Sequence, residues 1–168
     1  MLAPHLIRHI EQHAEQLAIE IADELLHHPR TQSFRRLPRE KLIGHMRDTY
    51  SRVGNWIAGR TDAEIEGIFA PRGRDRFLDA IPIDEMVMSV ILVKRQLRRH
   101  THEVSGLSSA AEIHSEMQID GMVGTFFDKV LHAMVVGWDA ARREAQRPVH
   151  QGTPVLGELK PGNIGWIP

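Results

Sequence analysis

Residues 69–100 read FAPRGRDRFLDAIPIDEMVMSVILVKRQLRRH, and the second half of this stretch decides the fold. Met86, Val90, Val93 and Leu97 recur at spacings of three and four, which places them along one side of an α-helix and would scatter them over both faces of a strand. Pro82 suits the first turn of that helix, where a missing amide removes nothing, and Asp84 and Glu85 suit the positive end of its dipole. Lys94, Arg95, Arg98, Arg99 and His100 crowd its last turns, where cations complement the unpaired carbonyls. Upstream, Pro71 and Gly73 are expected to interrupt the preceding helix, with Gly73 taking a backbone angle that other residues resist. Arg76 lies between these breaks, placed to pair with Asp79, Glu85 or a helix C-terminus. The simplest reading of Gly73 to Pro82 is a corner holding two helices at a fixed angle.

Working outward, the same periodicity accounts for nearly every apolar position. Leu6, Ile10, His13, Leu17, Ile21 and Leu25 predict a first helix over 3–28, ended by Pro29. A second begins near Pro38 and carries Leu42, Met46, Tyr50, Val53 and Ile57 to Gly59. Thr61 and Glu64 have the spacing of a capping box and open a short third helix. After the fourth helix, which Gly106 ends, Ser109 and Glu112 offer another capping box. The stretch from there to about 146 holds no proline and has a stripe of Ile113, Met117, Val123, Phe127, Val130, Met134, Val135 and Trp138. Gly121 and Gly124 are candidates for a bend or a close helix crossing. Residues 147–168 carry too many glycines and prolines for a helix and read as an irregular tail. The expectation is an all-α bundle of about five helices over 1–146, open to a globin-like arrangement.

Composition narrows the function. The chain has 168 residues, a formal charge of −1 and no cysteine. That balance provides no global field for nucleic acid or an anionic membrane, and it removes disulfides, thiol catalysis and thiolate zinc sites. The basic segments FRRLPREK and VKRQLRRH lack interleaved aromatics for base stacking, so no nucleic-acid partner is expected. No apolar run approaches the roughly 20 residues of a membrane span, and the N-terminus turns polar too early for a signal peptide, so a cytoplasmic protein is expected. There is no Gly-x-Ser-x-Gly elbow, phosphate loop or His-Glu-x-x-His motif, and hydrolytic catalysis has no visible basis.

Histidine is the enriched residue, at 11 copies. His5, His9 and His13 are spaced by four along one side of the first helix, a row that could contribute to a metal site but needs further ligands of matching geometry. His132 follows Asp128 by one turn, and a carboxylate can fix an imidazole's tautomer. His13 and His132, both close to apolar stripes, are the candidate axial ligands if the protein binds haem. His114 and His132 lack the neighbouring pattern expected of a phosphotransfer histidine. A helical enzyme built from scattered carboxylates and histidines would need a deep polar pocket that sequence does not reveal.

The order of motifs adds a resemblance. RTQSFRRLPREKL, YSRVGNWIAGRTDAEIEGIF, GRDRFLDAIPIDEMVMSVILVKRQL and FFDKVLHAMVVGWDAA together resemble the N-terminal domain family of RsbRD-type co-antagonists of RsbT, whose relatives precede bacterial histidine kinases. The likeness spans residues 3–143 and rests on Gly73, Arg76, the Ile81-Pro82 helix start, the Trp56 segment, Phe127-Asp128, Gly137 and Trp138. It implies a bacterial helical sensory input domain active in stress signalling, related in role to the non-haem globin-like input domain of RsbR. Such a domain has no catalytic residues and needs no cofactor; it passes ligand or partner information to an output domain or signalling protein. Here no kinase or antagonist domain follows, so a standalone relay or an excised input domain is expected. Homodimerisation through exposed faces of the long fifth helix is the accompanying expectation. The alternative is a haem- or metal-binding sensor using its histidines.

Overall fold

Seven α-helices and one 3-10 turn, with no strand, make up the described residues of this computed structural model, 3–57, 59–105 and 109–147. They are α1 (Ala3–Gln12), α2 (Ala14–His27), the 3-10 turn Gln32–Arg36, α3 (Arg39–Tyr50), α4 (Val53–Ile57), α5 (Asp62–Leu78), α6 (Ile83–Ser105) and α7 (Ala110–Ala145). The all-α bundle is as expected, and the count rises from five to seven because the first two helices each break once. Gly106 and residues 148–168, and with them the expected tail, lie outside the described residues, as does the Glu112 side chain of the second capping box. No helix among the described residues is long and apolar enough to cross a membrane.

The first break is at His13. Its amide is shared between the carbonyls of His9 (3.1 Å) and Ile10 (3.2 Å), while its ring Nδ1 also takes the His9 carbonyl at 2.8 Å. A side chain competing for a backbone acceptor tightens the ladder for one residue, and α2 restarts at Ala14. Leu6, Ile10, Leu17, Ile21 and Leu25 still reach the core. The second break, at Ser51–Arg52, lets the one-turn α4 fold across α1. Gly54 permits this approach: a Cβ there would stand 2.7 Å from Ile7 Cγ2, and its amide donates to Glu11 Oε1 at 3.0 Å.

The expected interruption at Pro71 and Gly73 does not occur. After its Thr61–Glu64 capping box, α5 runs through both to Leu78. Pro71 and the residue one turn before it, Gly67, are exposed, so water can serve the carbonyl that loses its amide partner. Gly73 keeps ordinary helical torsions; the left-handed residues among those described are Gly59 (φ 125°) and Ala80 (φ 56°). The role of Gly73 is close approach. A Cβ at Gly73 would lie 1.9 Å from the Met134 carbonyl oxygen, and one at Gly137 would lie 1.8 Å from that of Ala70. Each helix offers a glycine to the other's backbone, and α5 with α7 forms the most extensive helix pairing. A Cβ at Gly121 would meet nothing within 4 Å and one at Gly124 only the Lys94 side chain at 3.9 Å, so the crossing expected on that pair belongs to Gly137 instead.

The corner after α5 closes by hydrogen bonding. The Ile81 amide donates to the Arg76 carbonyl (2.9 Å) and the Ala80 amide to that of Phe77 (2.9 Å), the paired bonds of a Schellman motif with alanine in the place glycine usually takes. Trp138 Nε1 donates to the Ile81 carbonyl at 3.0 Å, and Arg36 Nη2 to that of Ala80 at 2.8 Å. Pro82 then stands one residue ahead of α6. Glu85 does not meet Arg76; it accepts from the Ser33 amide (2.7 Å) and hydroxyl (3.0 Å), tying the start of α6 to the 3-10 turn. Deeper in, the buried Tyr50 hydroxyl donates to Gln96 Oε1 (2.7 Å) and Gln96 Nε2 to the Leu17 carbonyl (3.0 Å), linking α3, α6 and α2 across an otherwise apolar core. At its N-terminal end α7 leaves the core: Ile113 and Met117, expected in its buried stripe, are 47% and 70% exposed.

Candidate functional site

Beneath the corner lies a cavity of about 50 Å³. Leu25, Phe34, Phe69, Val93, Phe127 and Met134 supply its apolar wall, and His45, Thr49, Arg72, Arg76 and Ser89 its polar side. That volume is room for a few waters or a small ion, about a third of the roughly 150 Å³ at which an engineered cavity accepts benzene.

Arg76 is the unusual member. Its side chain is 6% exposed, and its Nη1 is buried with no hydrogen-bond partner. The expected partner, Asp79, is present, but Oδ2 stands 3.6 Å away, outside hydrogen-bonding reach, and is shared with Lys41 Nζ at 3.1 Å. The guanidinium rests over the Phe34 ring at 5.4 Å, a contact that offsets part of its desolvation. Arg72 lies one turn earlier, its guanidinium over Phe69 at 4.8 Å, and bonds Thr49 Oγ1 (2.9 Å) and Asp48 Oδ2 (3.3 Å). Burial pushes both arginines below the ordinary guanidinium value, and nearby aspartates oppose that shift. His45 is half-buried on the same side; burial first, then Arg76, Arg72 and Lys41, lower its pKa, so the neutral imidazole is favoured. The cavity thus has two guanidinium groups on its polar side, an apolar wall opposite, and one donor without a hydrogen-bond partner.

The residues 73–82 and 127–138 singled out in the sequence converge on this region. Gly73 and Gly137 form the crossing, Arg76 and Phe127 line the cavity, and Trp138 packs edge-on to Phe77 (5.3 Å) while bonding the carbonyl just before Pro82. Asp128 does not join them: it is exposed and pairs with Lys94 Nζ at 2.9 Å rather than with His132. His132 is also exposed, in a shallow surface groove with Asp62, Glu66 and Lys129, because its position on α7 falls between the buried Val130 and Ala133. Neither His13 nor His132 lines the interior cavity.

His13 has other company. His9 and His13 stack with centroids 4.0 Å apart, and His100 of α6 meets them, its Nε2 3.1 Å from His9 Nδ1. Burial first, then the neighbouring imidazoles, lower the pKa of both: His13 and His5 act on His9, and His9 and His13 act on His100. His5 of the same row is exposed. Sequence reading assigned His100 to the basic end of its helix; the clue it missed is that His100 continues the buried stripe Val93–Leu97 by one more step.

Comparison of the chain with protein families, curated proteins and solved structures finds no match.

Proposed function

We propose that this chain is a non-enzymatic helical sensory domain that receives a small anion in the Arg76 cavity and reports its presence through the corner between α5 and α6. The observation that carries the reading is a buried arginine among the residues lining a cavity, with its Nη1 left without a hydrogen-bond partner. A buried donor left without a hydrogen bond costs about 1–3 kcal/mol, and Asp79 at 3.6 Å balances the charge of Arg76 without accepting from it. An anion would accept from Nη1 and face Arg72, with its non-polar part against Phe69 and Val93. The resemblance to sensory input domains points the same way, and a bacterial signalling partner and a cytoplasmic setting belong to this reading. Self-association belongs to it as well: the exposed Ile113 and Met117 lie one turn apart on α7 and would be covered in a homodimer. The haem alternative is less well served, because His132 has no apolar pocket around it.

The test is thermal unfolding of the full chain with formate, acetate and chloride at constant ionic strength, beside Arg76→Met. The wild type is expected to gain stability saturably with at least one of these anions. Arg76→Met, which replaces the buried charge by an apolar side chain of similar length and leaves Asp79 with Lys41, is expected to fold with equal or higher stability and to lose the anion effect. If no anion stabilises the wild type and Arg76→Met is less stable by about 3 kcal/mol or more, Arg76 is a fastening of the corner and the reading fails.

A further inference from the structure

We infer that His9, His13 and His100 form a binding site for a divalent transition metal of the zinc class, joining α1 to α6. Three imidazoles, from α1, from the break after it and from α6, with 91 residues between His9 and His100, converge so that one ligand nitrogen from each lies within 4.8 Å of the others. Nitrogens held at 2.0–2.1 Å around a tetrahedral ion are roughly 3.3 Å apart. His9 Nδ1 and His100 Nε2, at 3.1 Å, already stand at about that separation, and the third ligand needs a shift that side-chain rotation provides.

The supporting contacts suit ligation. His13 Nδ1 is engaged by the His9 carbonyl at 2.8 Å, which fixes that nitrogen as the N–H and leaves Nε2 with its lone pair. The break between α1 and α2 falls at His13 itself, so the bond that orients the ligand also shapes the helix. His9 and His100 share one proton across their contact. On binding, the donating ring moves its N–H to the opposite nitrogen, and neutral imidazoles ligate with no net proton change. All three rings are half-buried, which excludes much of the competing water and keeps an entry path. Glu20 and Glu103 stand close enough to act electrostatically on His100 and would favour a cation there. Three histidines leave a fourth position for water or a partner's side chain. None of these residues lines the Arg76 cavity, so the two sites stand or fall independently.

The test uses the metal-stripped full chain, titrated with cobalt(II) and followed by visible absorption, then with zinc in competition against a chromophoric chelator. Expected are one ion per chain, an intense tetrahedral cobalt spectrum, and a rise in melting temperature with zinc. His100→Gln and His13→Gln should each weaken zinc binding by more than the roughly 10–100-fold that follows loss of a mere supporting bond, and should abolish the thermal shift. His5→Gln and His132→Gln should bind as the wild type does. Circular dichroism of the metal-free variants establishes folding, and His9→Gln substitutes for either that fails. Absence of binding, a weak octahedral spectrum, or undiminished affinity in His100→Gln overturns the inference, the last because the N-terminal row alone would then hold the ion.

Discussion

Gly73→Ala tests the crossing that positions everything else. The new Cβ would sit 1.9 Å from the Met134 carbonyl oxygen, where ordinary contact begins at 3.4 Å, so α5 and α7 must part by 3.4 − 1.9 = 1.5 Å. The obstacle is backbone and cannot rotate aside. Gaps of that size forfeit half or more of each dispersion contact nearby, and Phe69, Phe127, Val130 and Met134 are packed there. Overpacking of this kind costs about 3 kcal/mol, against which alanine regains about 1 kcal/mol of helix propensity. A net loss of about 2 kcal/mol or more follows, visible in urea unfolding as a lower midpoint at unchanged slope and as a melting point about 4–8 °C lower. Gly137→Ala meets the Ala70 carbonyl at 1.8 Å and should cost as much. Once the helices have separated for one methyl the second fits almost freely, so the double variant should lose far less than the sum. Gly121→Ala, with nothing within 4 Å, should stabilise by about 0.5–1 kcal/mol. Additive losses in the double variant, or a Gly73→Ala protein within about 0.5 kcal/mol of wild type, would refute the argument.

Two other predictions concern the same corner and cavity. Ala80 holds a left-handed torsion at the end of α5, so Ala80→Gly should raise the urea midpoint by about 0.5 kcal/mol equivalent and Ala80→Val should lower it by about 1 kcal/mol; the reverse order would remove the Schellman assignment. His45 has a folded-state pKa below its ordinary 6.5, so the unfolded chain takes up its proton first as pH falls. The stability this contributes is complete above pH 6.5 and is lost on acidification through the folded value, with Arg76, Arg72 and Asp75 of α5 and Lys41 of α3 as the facing charges. His45→Gln should therefore lose less stability than the wild type between pH 7 and 5, and equal losses would show that His45 is not held neutral.

What the sequence made legible was what short-range periodicity carries. The stripes Leu6–Leu25 and Met86–Leu97 fell where expected because burial of an amphipathic face depends on spacing alone. The Thr61–Glu64 cap was equally local, three residues apart with a fixed pair of bonds. The errors came where a long-range contact overrides a local rule. Pro71 and Gly73 read as breakers, yet the packing of α5 on α7 outweighs one lost backbone bond, and Gly73 is used for its missing side chain rather than its torsional freedom. The left-handed residue was Ala80, whose identity gives no signal; the Asp-Ala-Ile-Pro context before α6 does. Arg76 stood out by sequence, but its unmet donor depends on where Asp79 points, and no spacing rule reports a 3.6 Å miss. The histidine row was visible in part, since His9 and His13 are four residues apart in one stretch of chain, whereas His100 joins them only through the docking of α1 on α6.

The corner also indicates how a ligand at Arg76 could be felt elsewhere. Arg76 lines the cavity while its own carbonyl accepts the Ile81 amide at 2.9 Å. The Ile81 carbonyl is held in turn by Trp138 of α7, and the next residues enter α6. A shift of Arg76 toward an anion is therefore imposed on the junction of three helices whose other flank, the Gly73–Gly137 crossing, cannot slide without a carbonyl striking a backbone. Satisfying one bare buried donor is worth about 1–3 kcal/mol, which is 5- to 150-fold in the balance between two arrangements of that junction. On the function proposed here, a stiff crossing on one side and an unmet donor on the other are two halves of one device: the first confines the motion to α6, and the second supplies the free energy that drives it.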